Sequence, residues 1–218
     1  VYPYSGAAKL PIKMSVSEKK RRRMPEEDYS VGLLKAPKTL VTGTEEINAA
    51  ERGTVTHFVL QHIDISKTET EEQIKEQTDD MVRSGILTLR QSKAVNTAAV
   101  FGFFESEVGR RLKASERFER EYDFYMLIPP DEAEPGLNTE GAEDVILQGI
   151  ADCFFYTDSG IVLIDYKTDR VSRDGAHKRA ETYRIQMEYY ARGLEAILQV
   201  PVEEKYLYFL SCGETVRM

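Results

Sequence analysis

The hydrophobic period of this chain changes from helical spacing to alternation at Phe118, and that change narrows the folds open to it. Before it, Ile47, Ala50, Val55, Phe58, Val59 and His62 form one largely apolar stripe from Thr44 onward, interrupted by Gly53. Further helices are predicted over 71–84, over 91–104 with Ala94, Ala98, Phe101 and Phe104 on one face, and over 105–114. After it, 118–128 and 145–156 read as strands, 157–160 as a turn and 161–167 as a third strand. A long helix is expected over 176–198 and a last strand over 205–210, with an acidic, proline-containing hairpin tip or insertion over 129–144. Helices, a three-stranded meander, a helix and a strand make an α/β domain with a mixed central sheet flanked by helices.

Residues 1–44 differ from the rest. They hold four of the eight prolines (Pro3, Pro11, Pro25 and Pro37), which argues against long regular elements. Ser15-Val16-Ser17-Glu18 is suited to cap a short basic helix running through Lys19, Lys20, Arg21, Arg22 and Arg23. That run is either a solvated face or a phosphate contact. The segment reads as an extended tether from a preceding domain, leaving 45–218 as the main domain. The first residue, Val1 rather than Met, suggests a piece excised from a longer polypeptide.

Composition excludes several classes. No run of about 18 apolar residues is present, so neither a membrane span nor a membrane partner is expected. Cys153 and Cys212 are too few for a disulfide framework or an iron–sulfur cluster and fit a cytoplasmic setting. With 29 basic and 37 acidic residues the net charge is −8, unlike a domain that holds nucleic acid by neutralising phosphates alone. No P-loop sequence occurs, so any P-loop ATPase lies outside this chain.

Two carboxylates stand inside apolar strands: Asp152 in Gly149-Ile150-Ala151-Asp152-Cys153-Phe154, and Asp165 in Ile161-Val162-Leu163-Ile164-Asp165-Tyr166-Lys167. Charge at the end of an apolar strand is costly unless a partner or a metal compensates it. Alternation puts Asp165 and Lys167 on one face and Tyr166 on the other. Gly149 is expected to leave room for a ligand or a backbone beside Asp152. Asp152 and Asp165, one hairpin apart, form a minimal cradle for Mg²⁺ or Mn²⁺. Lys167 is placed to orient or deprotonate water and to stabilise charge developing on a phosphate.

Together these segments resemble the RecB-type branch of the PD-(D/E)xK nucleases. Gly53-Thr54-Val55-Thr56-His57 is similar to that branch's Gly-x-x-x-His motif, and Gln186-Met187-Glu188-Tyr189-Tyr190 to its Gln-x-x-x-Tyr motif. Lys13-Met14-Ser15-Val16-Ser17-Glu18 and the helix over 51–63 most resemble the A-subunit family of the bacterial AddAB helicase–nucleases. The resemblance implies a restriction-endonuclease-like core. It implies His57, Asp152, Asp165 and the Tyr166 carbonyl as metal ligands, and Lys167 as the catalytic lysine. Glu121 would polarise water or help hold a second cation, although Glu119 and Asp123 share its face. Gln186 and Tyr190 would contact a DNA strand or brace the lysine, and could also serve helix packing alone. His62 lies outside the motif and is expected in the core.

The implied cofactor is Mg²⁺, with Mn²⁺ or Ca²⁺ able to substitute in binding, and no iron–sulfur cluster. The implied activity is exonucleolytic hydrolysis of single-stranded DNA in double-strand-break repair and recombination. Its implied partners are a helicase domain on the same polypeptide and a second helicase–nuclease subunit, in the bacterial cytoplasm at the nucleoid. The alternative is a noncatalytic DNA- or subunit-binding module that retains the fold.

Overall fold

The computed structural model describes residues 10–23 and 47–218. Its elements, in chain order, begin with β1 (Lys13–Ser15), α1 (Val16–Arg23) and α2 (Ala49–His62). Next come α3 (Glu71–Arg83), α4 (Leu89–Ser92), α5 (Thr97–Glu105), α6 (Glu107–Ala114), β2 (Phe118–Ile128) and α7 (Pro130–Ala133). The chain continues through β3 (Val145–Tyr156), β4 (Ile161–Lys167), α8 (Arg173–Ala180), α9 (Arg184–Leu198), β5 (Val202–Phe209) and β6 (Glu214–Arg217).

The sheet is built around β3. One edge of β3 pairs antiparallel with β2 from Phe155 back to Val145. On its other edge β1 runs parallel to Ile146–Gln148, and β4 runs antiparallel to Cys153–Tyr156. Parallel β5 and then antiparallel β6 extend the sheet beyond β4. The sheet is therefore mixed, as the order of elements requires. Every residue of β4 is buried, as expected of an apolar strand covered on both faces.

Two apolar cores sandwich the sheet. Val16, Ala180, Met187, Tyr190 and Leu194, from α1, α8 and α9, pack on Leu147, Leu163 and Leu207. On the other face Val55, Val59, Ile74, Val100, Phe103 and Leu112, from the helices before β2, pack on Val162, Ile164 and Tyr208.

Several elements depart from the expected pattern for local reasons. The helix expected over 91–104 is two, because the Asn96 side chain accepts from the Ala99 amide and starts a new helix there. The long helix expected from 176 tightens into a 3₁₀ turn over Glu181–Tyr183 before α9 begins. β1, β6 and the four-residue α7 are too short for their periodicity to register in the sequence. His62 is exposed rather than in the core: its Nδ1 lies 2.8 Å from the Phe58 carbonyl and its ring stacks on Phe58.

Part of the first 44 residues is built into this fold. Ser15 caps α1, its Oγ accepting from the Glu18 amide at 3.0 Å. The basic run is not one solvated face, because Lys19 is buried and donates to the carbonyls of Glu132 and Ala133. Pro3, Pro25, Pro37 and the expected helix start at Thr44 lie outside the described residues.

Candidate functional site

β3 and β4 are paired only from Tyr156–Ile161 as far as Cys153–Ile164. Past that point β4 stays with β5, while β3 stays with β2 and gains β1. Asp152 and Asp165 are the first residues beyond the last pair, one on each arm of the fork. The Tyr166 amide reaches across it there, donating to Asp152 Oδ2 at 2.7 Å.

The facing of β3 also turns over at this point. Leu147 and Ala151 lie in the core under α9, whereas Cys153 and Phe155, of the same parity, lie in the core under α2. β2 does the same: Phe118 packs on the α2 side, and Phe124 and Ile128 on the α9 side. Glu121 stands at its turning point with φ 50°, directly across from Asp152 and between the paired Arg120–Cys153 and Tyr122–Ala151. A left-handed glutamate inside a strand is strained, and such strain is concentrated at functional sites.

α2 supplies the third group. Asn48 caps the helix. Gly53 lets it lie against the residue after β4, since a Cβ there would sit 2.9 Å from Thr168 Oγ1. One helical turn further on, His57 Nδ1 comes within 3.4 Å of Asp152 Oδ2. Ligand atoms of His57, Glu121 and Asp152 all lie within 4.8 Å of one another. Of the three acidic residues in β2, Glu121 joins this group, while Asp123 is exposed and accepts from Tyr125 and Gln148.

The electrostatics follow from this crowding. Burial, then the charge of Asp152, pushes the Glu121 carboxyl up to about 8. Burial alone would raise Asp152, but the charge and hydrogen bond of His57 outweigh it and hold Asp152 low. For His57, burial works downward and the same contact with Asp152 wins, raising it. Burial pushes Asp165 up to about 6 against the pull of Lys167, with the charge of Asp152 adding to the rise.

On the α9 side, Asp165 and Lys167 form a knot with Gln186. Lys167 Nζ is 2.5 Å from Asp165 Oδ2 and donates to Gln186 Oε1 at 3.2 Å. Gln186 Nε2 donates to Asp165 Oδ1 at 2.8 Å and to the Tyr190 hydroxyl at 3.1 Å. Gln186 and Tyr190 are buried, Gln186 bridging the Asp165 and Lys167 side chains and Tyr190 reaching them only through Gln186. Tyr166 enters through its backbone, and its ring is buried on the opposite face against Phe103.

These residues fit a divalent cation. Asp165 Oδ2 is buried and has no hydrogen bond, its contact with Lys167 being close but poorly aligned. Two carboxylates and one imidazole converge here, with the charge of Asp165 felt by them, a mainly oxygen donor set suited to Mg²⁺ or Mn²⁺. His57, Glu121 and Asp152 would hold the ion, with Asp165 beside them.

Three features escaped the sequence. Gly149 makes room for neither ligand nor backbone: a Cβ there would meet the Phe124 ring at 2.2 Å, and so would one at Gly193. The ring fills the space between strand and helix. Asp169, two residues past the lysine, accepts from Arg179 Nε and Nη2 and from the Tyr183 hydroxyl. This anchors the Tyr183 ring 4.0 Å from Lys167 Nζ. The spacing of Tyr183, Gln186 and Tyr190 was the available signal, because three- and four-residue steps share a helix face.

The sequence profile of the PD-(D/E)XK nuclease superfamily matches residues 28–215. The chain is 39% identical over 222 residues to the A subunit of the ATP-dependent helicase/nuclease of Acetivibrio thermocellus, covering 97% of this chain and 17% of that protein. It is 36% identical over 230 residues to the protein of the same name from Bacillus cereus strain Q1, covering 100% and 18%. The corresponding protein of Alkaliphilus metalliredigens is 36% identical over 220 residues, covering 99% and 18%. This chain therefore spans less than a fifth of the length of these relatives.

Proposed function

The chain belongs to the PD-(D/E)XK nuclease superfamily, and from that premise we propose that it is a Mg²⁺-dependent deoxyribonuclease acting exonucleolytically on single-stranded DNA. The observation that carries this reading is the Asp165–Lys167–Gln186 knot beside the His57–Glu121–Asp152 group. A module that only grips DNA has no use for five titratable groups crowded at this cost, and would favour basic residues.

A divalent cation in this donor set supplies Lewis acidity toward the phosphate and toward water. The side chains do the rest. Water adds at phosphorus as one ester P–O bond breaks in line with it; the attacking water gives up one proton to solvent, and the leaving alkoxide takes one from solvent. The Lys167 ammonium, fixed by Asp165 and Gln186, offsets charge growing on the non-bridging oxygens. Glu121 and Asp152 bound the space from which water approaches, and Glu121 is placed to accept its hydrogen bond.

The names and lengths of the relatives support a setting in which a helicase domain on the same polypeptide feeds the strand. A second helicase–nuclease subunit completes the assembly in this reading, which serves double-strand-break repair and recombination at the bacterial nucleoid. His57, Glu121, Asp152, Asp165, Lys167, Gln186 and Tyr190 all fall within 45–218. No helix among the described residues is long and apolar enough to cross a membrane.

The test is degradation of single-stranded DNA with Mg²⁺, with EDTA, and by Lys167→Ala. Cleavage that needs the metal and is lost in the variant is expected. No cleavage, with calorimetry detecting no Mg²⁺ or Mn²⁺ binding, would overturn the reading.

A further inference from the structure

Lys20 is out of place by ordinary structural criteria. It lies on α1, far in sequence from the site residues, yet its Nζ sits 3.5 Å from the centroid of the Tyr183 ring. Lys167 Nζ is 4.0 Å from the centroid of the same ring. α1 is held in this position by other residues: Val16 and Lys19 are buried, and Lys19 is tied to the carbonyls of Glu132 and Ala133. Lys20 is thus presented to the site by a helix fixed elsewhere.

Its side chain is half-buried and makes no hydrogen bond or ion pair among the described residues. Burial, then the charges of Lys167 and Arg179, presses its pKa down to about 8. The carboxylates within its field are engaged elsewhere. Asp169 holds Arg179 and Tyr183, and Asp165 holds Gln186 and Lys167. An aromatic face compensates a cation only in part. A second ammonium brought to the ring that Lys167 also approaches, without an anion of its own, destabilises the fold, and so points to an anion supplied by a ligand.

We infer that Lys20 and Lys167, both seated on the Tyr183 ring, form a phosphate subsite in which Lys20 holds a backbone phosphate of the substrate strand beside the reacting one. This rests on the nuclease reading for the identity of the anion. Lys20 is a binding residue here and takes no part in proton transfer. It also gives the chain, acidic as a whole, a local point of attachment for a polyanion.

The test uses two substitutions, Lys20→Met and Lys20→Arg, and two readouts. Binding of a short fluorescein-labelled oligothymidylate is followed by anisotropy with Ca²⁺ replacing Mg²⁺, over a range of salt. Cleavage of the same strand is followed with Mg²⁺. Lys20→Met is expected to weaken binding about tenfold and to lower the salt slope by about one. Its KM should rise while kcat stays within about threefold, and Lys20→Arg should restore most of the binding. The Tm of Lys20→Met should equal or exceed that of the parent chain, which a merely structural lysine would not allow.

Unchanged binding and salt slope in Lys20→Met would overturn the inference, as would a fallen Tm with binding unaffected. If the parent chain cleaves and Lys20→Met is unaltered, the subsite fails and the nuclease reading stands. If the parent binds but does not cleave, the binding arm alone decides the subsite, and the nuclease reading fails when calorimetry also detects no Mg²⁺ or Mn²⁺ binding. If it does not bind the strand, the subsite fails, and the nuclease reading fails with it when cleavage and metal binding are absent as well.

Discussion

Neutralising Glu121 should make the metal-free chain more stable at alkaline pH. The residue is strained at φ 50° and sits opposite Asp152, and its carboxyl is pushed from 4.5 up to about 8 by burial and that neighbouring charge. Below pH 4.5 both folded and unfolded chains hold the proton; between 4.5 and about 8 only the folded chain does. Stability therefore falls as pH rises through that window, and above it the folded carboxylate carries the whole cost. The full gap corresponds to a ceiling of about 5 kcal/mol. Remaining solvent access and coupling to Asp152 reduce this to roughly 2 kcal/mol, or about 5 °C in Tm for a domain of this size. In EDTA, Glu121→Gln should melt with the parent chain at about pH 5 and about 5 °C above it at about pH 8.5. Mn²⁺ should close the gap by stabilising the parent more, and more strongly at the higher pH, because the ion replaces protons. Parallel melting curves for parent and variant across this range in EDTA would refute the account of a crowded carboxylate pair. His57 and Asp165, both raised, have the same sign and remain in the variant, whereas lowered Asp152 acts on the acid side. Comparing parent with variant therefore reads Glu121 together with its coupling to His57 and Asp152.

Other outcomes follow from the same contacts. Gly149→Ala places a methyl against the Phe124 ring and should cost about 2 kcal/mol, read as a lowered urea midpoint; an unchanged midpoint would mean the ring has room to move. Gln186→Leu removes both amide contacts to Asp165 and Lys167 and should lower kcat at least about tenfold with little change in KM. A KM effect alone would return Gln186 to strand contact. Arg120→Ala strips the guanidinium from the carbonyls of Leu60 and Ile63 at the end of α2. It should cost about 2 kcal/mol and weaken Mn²⁺ binding through His57, checked by melting and by calorimetry.

The periodicity read from the sequence matches most of the long elements. Glu71–Arg83, Phe118–Ile128, Val145–Tyr156 and Ile161–Lys167 fall within a residue or so of their expected ranges. Long runs average their hydrophobic signal over many residues, whereas the three residues of β1, the four of β6 and the single Asn96 cap do not. The lone carboxylates of two apolar strands were legible for a related reason: a charge in an apolar run is conspicuous by its cost.

What the sequence determined, then, was chemistry carried by residue type and local spacing: Asp152, Asp165 and Lys167 on strands, and His57 and Gln186 on helices. Tertiary structure alone decided where those side chains meet. Glu119, Glu121 and Asp123 are equivalent under alternation, and a backbone turning over at Glu121 singles one of them out. Gly149 reads as an opening until the ring of Phe124, from the neighbouring strand, fills it. Lys20 and Lys167 are 147 positions apart and share one aromatic ring only because α1 and the turn before α9 pack on the same face of the sheet. Local pattern records what a residue costs and favours along its own element. Contacts between elements depend on how the sheet splits and twists, and no stretch of sequence contains that by itself.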